Sequence, residues 1–325
     1  MILLLVFGIS LLLCLLLASE YSPLKILDVP NERSLHVKPT PHTGGIGIVL
    51  AVVISWVIYG WFYEMPEVMG WISISVFLVA GISFIDDWRE VSPLLRISVH
   101  LMAGVVLLLA GLVMFEGWFG AMFTLVAIVW MLNLYNFMDG MDGFAGGMTL
   151  FGFGFLACAG WLQGENEYAM YASMVAVAAI GFLFVNFPPA KIFMGDIGSA
   201  TLGLLAAAFS LWAIDIGLFA WWFPLLVFSP FVVDATVTLI RRMNNRERIW
   251  QAHRSHYYQR LVQLGWGHKK TVLAEYVIML LTGCSALVVL QIQSEVATAI
   301  LLTVWSCIYM IIAILVHRLE LDMVE

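Results

Sequence analysis

The chain alternates long apolar runs with short polar connections. A helix needs about 20 apolar residues to cross a bilayer. Runs on that scale lie at 1–18, 44–63, 68–85, 95–114, 118–134, 144–163, 169–187, 197–214, 217–240, 271–291 and 296–317. The pattern predicts an all-α polytopic membrane protein with about eleven transmembrane helices. Strands of an outer-membrane barrel would alternate polar and apolar positions, and these runs are apolar throughout. Residues 1–325 read as one integral-membrane domain with a long polar loop at 241–270.

Composition agrees: 62% of residues are hydrophobic and 11% charged, whereas soluble domains carry about 25% charged residues. The charges are sorted. The even-numbered connections are short and acidic, with Glu64, Glu67, Glu116, Glu165, Glu167, Asp215 and Glu295. All fifteen Lys and Arg fall on the other side, Arg318 of the tail included. The positive-inside rule makes that side cytoplasmic, with the N-terminus outside and the C-terminus inside. No Lys or Arg precedes the first run, while Lys25, Arg33 and Lys38 follow it, which predicts a retained helix and not a cleaved signal. The net charge of −7 says little about partners. The basic residues would face anionic membrane lipids or a phosphorylated substrate, and no nucleic-acid partner is expected. The four cysteines have no metal-like spacing and read as small buried hydrophobes.

Polar chemistry collects in five segments at the predicted cytoplasmic ends: 31–45, 86–90, 133–143, 186–199 and the loop 241–270. Asn133, Asn136 and Asp139 are spaced by three, so a continuing helix would hold them on one broad face. Asp142 extends the series, and Gly140 and Gly143 allow a turn. A solvated loop is the plain alternative. Asp196 opens the eighth run between Gly195 and Gly198, where a helix cap is the simplest role. The loop before it offers Lys191, Phe193 and backbone N–H groups suited to a nucleotide. Adjacent Asp86 and Asp87 would repel one another unless relieved by a cation, by Arg89 or Arg96, or by water. This oxygen-rich set favours Mg²⁺, with Mn²⁺ as an alternative. His253 and His256 are three apart on a possible helix and suit phosphate or sugar, unless the cationic loop only anchors to headgroups. Asp234, inside the ninth run, has Arg241 or Arg242 as a plausible partner. His100 reads as a buried structural histidine. His36, His42, His268 and His317 have no sharper reading than polar loop or tail residues.

Pro39-Thr40-Pro41 with Gly44-Gly45, Asp86-Asp87, the run Asn133-x-x-Asn136-x-x-Asp139-Gly140-x-Asp142-Gly143, and Phe193-Met194-Gly195-Asp196-x-Gly198-Ser199 occur in one order between about residues 28 and 265. In that order the chain resembles the polyprenyl-phosphate N-acetylhexosamine-1-phosphate transferases, which include the MraY, WecA-like and WbpL-like enzymes. The resemblance implies transfer of a sugar 1-phosphate from a UDP-N-acetylhexosamine to undecaprenyl phosphate in the bacterial inner membrane, on its cytoplasmic face, initiating O-antigen or another surface polysaccharide. It implies Asn136 and Asp196 as metal ligands and Phe193 stacked on uracil. Asn186, Asp139 and Asp142 would lie near the nucleotide and Lys38 near uracil or diphosphate. Asp86 and Asp87 would serve the lipid phosphate and the metal, and His253 and His256 stand at the family's histidine-rich loop. A homodimer is left open. Glu90 stands where Asp is commoner, His42 replaces an Arg or Met, and a run of three histidines is absent. The last departure argues against phospho-MurNAc-pentapeptide as donor. A cation-coupled transporter is the rival class, but it would place its acids near the bilayer midplane on broken helices, and these acids gather at one face.

Overall fold

The computed structural model describes residues 1–24, 26–30, 35, 38–89, 91–248 and 253–322. His36 and Glu90 lie outside the described residues. Every apolar run emerges as helix: α1 (Ile2–Ala18), α2 (Gly44–Phe62), α3 (Glu67–Trp88), α4 (Pro93–Leu109), α5 (Gly117–Phe137), α6 (Phe144–Gln163), α7 (Asn166–Asn186), α8 (Gly195–Asp215), α9 (Trp222–Val227), α10 (Ser229–Asn244), α11 (Tyr257–Leu261), α12 (Gly267–Ile292) and α13 (Glu295–Asp322). Among the described residues, eight helical segments are long and apolar enough to cross a bilayer, and α1 and α4 fall just short at 17 residues. The protein is an all-α polytopic membrane protein.

α8 forms the centre, packed against α2, α3 and α5. Small residues one turn apart allow this. A Cβ on Gly203 would lie 2.6 Å from the Met131 carbonyl of α5, and one on Gly45 of α2 would lie 2.3 Å from the Gly198 Cα. Close backbone approach through small residues is the usual way helices associate in lipid, where apolar burial gives no advantage. It also fixes the register of the α5, α3 and α8 ends that carry the polar motifs.

The ninth run is not one helix. It breaks at Phe228 between α9 and α10. Pro230 has no N–H to give the Leu226 carbonyl. The Ser229 hydroxyl takes that acceptor at 2.6 Å and itself pairs with the Tyr309 hydroxyl of α13 at 2.7 Å. A second irregularity precedes α12, where a π-helical turn (Val262–Trp266) holds Gly265 at φ 87° and Gly267 follows at φ 68°. Cys14 is buried as expected, but Cys284 and Cys307 are exposed on outward helix faces. α12 also carries Glu275, a carboxylate within an apolar helix that the charge pattern did not single out. β1 (Leu27–Asp28) and β2 (Thr40–Pro41) pair antiparallel and lay the α1–α2 connection over one end of the bundle.

Candidate functional site

The polar segments converge at that end, and the first turn of α8 is their floor. Gly195 sits in the left-handed region at φ 74°, and a Cβ there would lie 2.1 Å from the His42 carbonyl, so only glycine fits. The backbone N–H groups of Asp196 and Ile197 donate to the two carboxylate oxygens of Asp87, at 3.0 and 3.1 Å. Asp87 therefore caps α8 from another helix. Asp196 does not make the cap that its position suggests. Its side chain accepts from Asn136 Nδ2 at 2.7 Å and from Arg96 at 3.1 Å. Arg96, one turn into α4, also pairs with Asp86 at 2.6 Å, and Asp86 accepts the Val91 N–H at 2.7 Å. Arg96 thus answers the repulsion that the Asp86–Asp87 pair poses.

α5 stops at Phe137, so the three-residue spacing does not stay on one helix. Asn136 is its last polar residue and also touches Ser199 of α8 at 3.2 Å, while Asn133 turns back to the Val129 carbonyl at 2.7 Å. Asp139 and Asp142 lie in the turn that follows. Burial first, then the nearby Asp196 and Asp87 charges, hold the Asp139 carboxyl well above the usual carboxylate range. Asp142 accepts the Ala190 N–H at 3.0 Å and meets His268 Nδ1 at 3.0 Å. Asn186 accepts from the Gly143 N–H and donates to the Ile192 carbonyl, both at 2.8 Å, so its amide joins two loops. The backbone N–H groups of Ala190, Lys191 and Phe193 are likewise taken by Asp142, Val185 and Pro41, and are not turned to a ligand.

A cavity of about 200 Å³ opens here. Of the expected residues, its walls carry Asn136, Asp139, Asp142, Asn186, Phe193 and Asp196. They add Asp28, His42, Gln259 and His268, to which the sequence pattern assigned no role. The hairpin brings in Asp28 and His42. Among the described residues His42 Nε2 is buried without a hydrogen-bond partner, and burial lowers the His42 pKa against the opposing pull of Asp28 and Asp196. The glycines at 265 and 267, visible in the sequence as a helix interruption, are the signal that points to His268. Asp86 and Asp87 reach the cavity through Asp196 and do not wall it.

Other expected residues lie elsewhere. Lys38 is exposed on the loop beside the hairpin and is not part of the wall. His253 and His256 are not on one helix: His253 precedes α11 and pairs with the Ser255 hydroxyl at 2.9 Å, and His256 is the N-cap of α11. His256 is buried against Phe137 and Tyr258. Asp234 accepts the Tyr257 and Tyr258 N–H groups at 2.8 and 3.0 Å and meets His256 at 3.3 Å, in place of the expected arginine. Arg241 donates instead to the Ser255 carbonyl, and Arg242 to Glu247. His100 is buried as expected, and among the described residues neither ring nitrogen has a partner.

The oxygen donors of Asp139, Asp196 and Asn136 suit a hard divalent cation by kind. Among the described residues, no three His, Cys, Asp or Glu side chains already converge on one such point. The excess of carboxylates over the cationic Arg96 is what a cation would relieve.

A family model described as glycosyl transferase family 4 matches residues 69–214, the stretch from α3 to the end of α8. A probable undecaprenyl-phosphate N-acetylglucosaminyl 1-phosphate transferase of Bacillus subtilis is 32% identical over 277 residues, covering 81% of this chain and 76% of that protein. A decaprenyl-phosphate N-acetylglucosaminephosphotransferase of Mycobacterium tuberculosis is 29% identical over 303 residues, covering 78% and 73%. A phospho-N-acetylmuramoyl-pentapeptide-transferase of Listeria monocytogenes is 26% identical over 262 residues, covering 72% and 79%. With the matched segment supplying the floor of the cavity, the chain belongs to glycosyl transferase family 4.

Proposed function

We propose that the protein transfers an N-acetylhexosamine 1-phosphate from a UDP-sugar to a polyprenyl phosphate such as undecaprenyl phosphate. The observation that carries this reading is the joining of Asn136, Asp139 and Asp196 with Arg96 and Asp86 at one end of an apolar bundle. There a cytosolic nucleotide and a lipid headgroup can meet. The names of the curated relatives support the same class of reaction. The positive-inside sorting of Lys and Arg supports a cytoplasmic-face site in a bacterial inner membrane.

The chemistry asks little proton transfer of the protein. A phosphomonoester is mostly ionised near neutrality, its second pKa being about 6. An oxygen of the lipid phosphate attacks the β-phosphorus of the donor. The bond from that phosphorus to the bridging oxygen breaks, and UMP leaves with the electron pair. The product is a polyprenyl-diphosphate sugar. The work is charge screening and alignment. Asn136 and Asp196 would hold Mg²⁺, which when bound screens the diphosphate and the leaving UMP. Arg96 supplies a fixed cation beside them. Asp87 keeps the first turn of α8 in place, and Asp86 keeps Arg96 in place. Both carboxylates are thus organisers, which favours direct attack over a covalent aspartyl route.

Purified protein given undecaprenyl phosphate, Mg²⁺ and a panel of UDP-N-acetylhexosamines should release UMP with at least one donor. Folded protein that releases none from any donor overturns the reading. The panel also identifies the sugar and tests a role in O-antigen or other surface-polysaccharide initiation.

A further inference from the structure

His268 and Gln259 take no part in the transfer chemistry, yet both are held in the cavity wall by partners that leave one polar group over. The Asp142 carboxylate is fixed by the Ala190 N–H at 3.0 Å and faces His268 Nδ1 at 3.0 Å. A ring that donates its Nδ1 hydrogen to a carboxylate presents Nε2 as a lone-pair acceptor when neutral. That leaves Nε2 as the second polar atom of a ring that lines the cavity. The π-helical turn with Gly265 and Gly267 is what brings this ring to the cavity rather than along the outer face of α12. π-helical turns of this kind are common at functional positions.

Gln259 is set in the opposite sense. Its carbonyl oxygen accepts the His256 N–H at 3.2 Å, which leaves the –NH₂ group toward Gly140 on the cavity wall. That amide nitrogen carries two hydrogens to donate. The pair therefore offers one acceptor and one donor.

Polar contacts divide the cavity into two ends. Arg96, Asp196 and Asn136 are linked at one, and Asp142, His268 and Ala190 at the other. Among the described residues no Lys or Arg lines the cavity; Arg96 reaches the first end through Asp196, and the second end, without such a cation, suits the uncharged half of a nucleotide. Phe193 supplies an aromatic surface in the same cavity on which a base can stack.

We infer that His268, oriented by Asp142, together with Gln259 reads the imide edge of uracil and so sets the base specificity of the donor. This inference rests on the nucleotide-sugar reading of the site. Uracil presents an N–H flanked by carbonyl oxygens, which matches an imidazole acceptor beside an amide donor. Cytosine presents a ring lone pair where uracil has its N–H, so acceptor would meet acceptor. A site built to pair a polar group rejects an analogue that leaves it unpaired far better than shape alone does.

The test is binding of UMP and CMP to full-length purified protein, measured by titration calorimetry, with turnover of the UDP-sugar alongside. Wild-type protein should prefer UMP. His268→Ala should weaken UMP about 10-fold with little change for CMP, collapsing the preference. Gln259→Ala should weaken UMP about 5-fold. His268→Gln, which restores an acceptor, should recover part of the loss and guards against a folding defect in the alanine variant. In turnover, His268→Ala should raise KM more than it lowers kcat. Wild-type affinity ratios for UMP over CMP in folded His268→Ala and Gln259→Ala protein overturn the inference and leave the transferase reading standing. Wild-type protein that binds no uridine nucleotide overturns both.

Discussion

Two aspartates in this bundle do the same physical job in different surroundings. Asp87 of α3 accepts consecutive N–H groups at the start of α8, and Asp234 of α10 accepts consecutive N–H groups at the start of α11. Both offset the exposed N–H groups and positive dipole end of a helix, and both tie together segments far apart in the chain. The first cap sits beside Arg96, Asp196 and the cavity, where charge is in excess. The second is packed by His256, Phe137 and Tyr258, and shares its cavity wall with Glu275, apart from the polar motif segments. One cap positions ligand-facing oxygens directly. The other positions Gln259 at one remove.

That contrast can be broken from its larger side first. Asp196→Ala, which removes the group that the Asp87 cap positions, should cut UMP release by about 10³-fold. A variant with wild-type rates would remove Asp196 from the site. Asp87→Asn leaves one acceptor for two N–H groups and should cost about 10–100-fold in rate, since a misplaced group is penalised on that scale. Asp234→Asn should cost about 10-fold or less, with most of its effect on thermal stability, about 1 kcal/mol for a lost cap. Equal rate losses at the two caps would end the comparison.

Asp139 sharpens the same contrast through pH. Its pKa is raised in the folded protein by burial, then by Asp196 and Asp87. The folded state therefore holds a proton that the unfolded state has released. This residue's effect on stability becomes less favourable as pH rises above the ordinary Asp value of about 3.9. In metal-free buffer at pH 7, Asp139→Asn should raise the melting midpoint by about 2 °C, and the gain should vanish near pH 4. An unchanged or lowered midpoint at pH 7 would show that the carboxyl is not held at that disadvantage. The smallest effect belongs far from the site. Ser229→Ala leaves the Leu226 carbonyl without its donor and should cost about 1 kcal/mol of stability while UMP release stays near wild type.

Much of this could be read along the chain. The apolar runs and the sorting of Lys and Arg follow from local composition, and the motif segments do meet at one end. What composition cannot separate is neighbours with identical side chains. Asp86 and Asp87 are adjacent carboxylates, yet one faces Arg96 and the other the amides of α8. Asn133 and Asn136 share a helix, but only Asn136 reaches Asp196. The broken ninth run was signalled by Pro224 and Pro230, two helix-disfavouring residues inside an apolar stretch. His268 has a weaker signal, because only the glycines at 265 and 267 show that the chain turns before it.

Membrane residence was therefore decided by the sequence alone, since each apolar run must be helical to satisfy its own backbone in lipid. The roles of the polar residues were decided only by tertiary structure. Asp87 meets its amides across 109 positions of chain, and Arg96 meets Asp196 across 100. A hydrogen bond depends on direction and distance to within tenths of an ångström. Spacing along one segment carries no record of which distant group will arrive to make it.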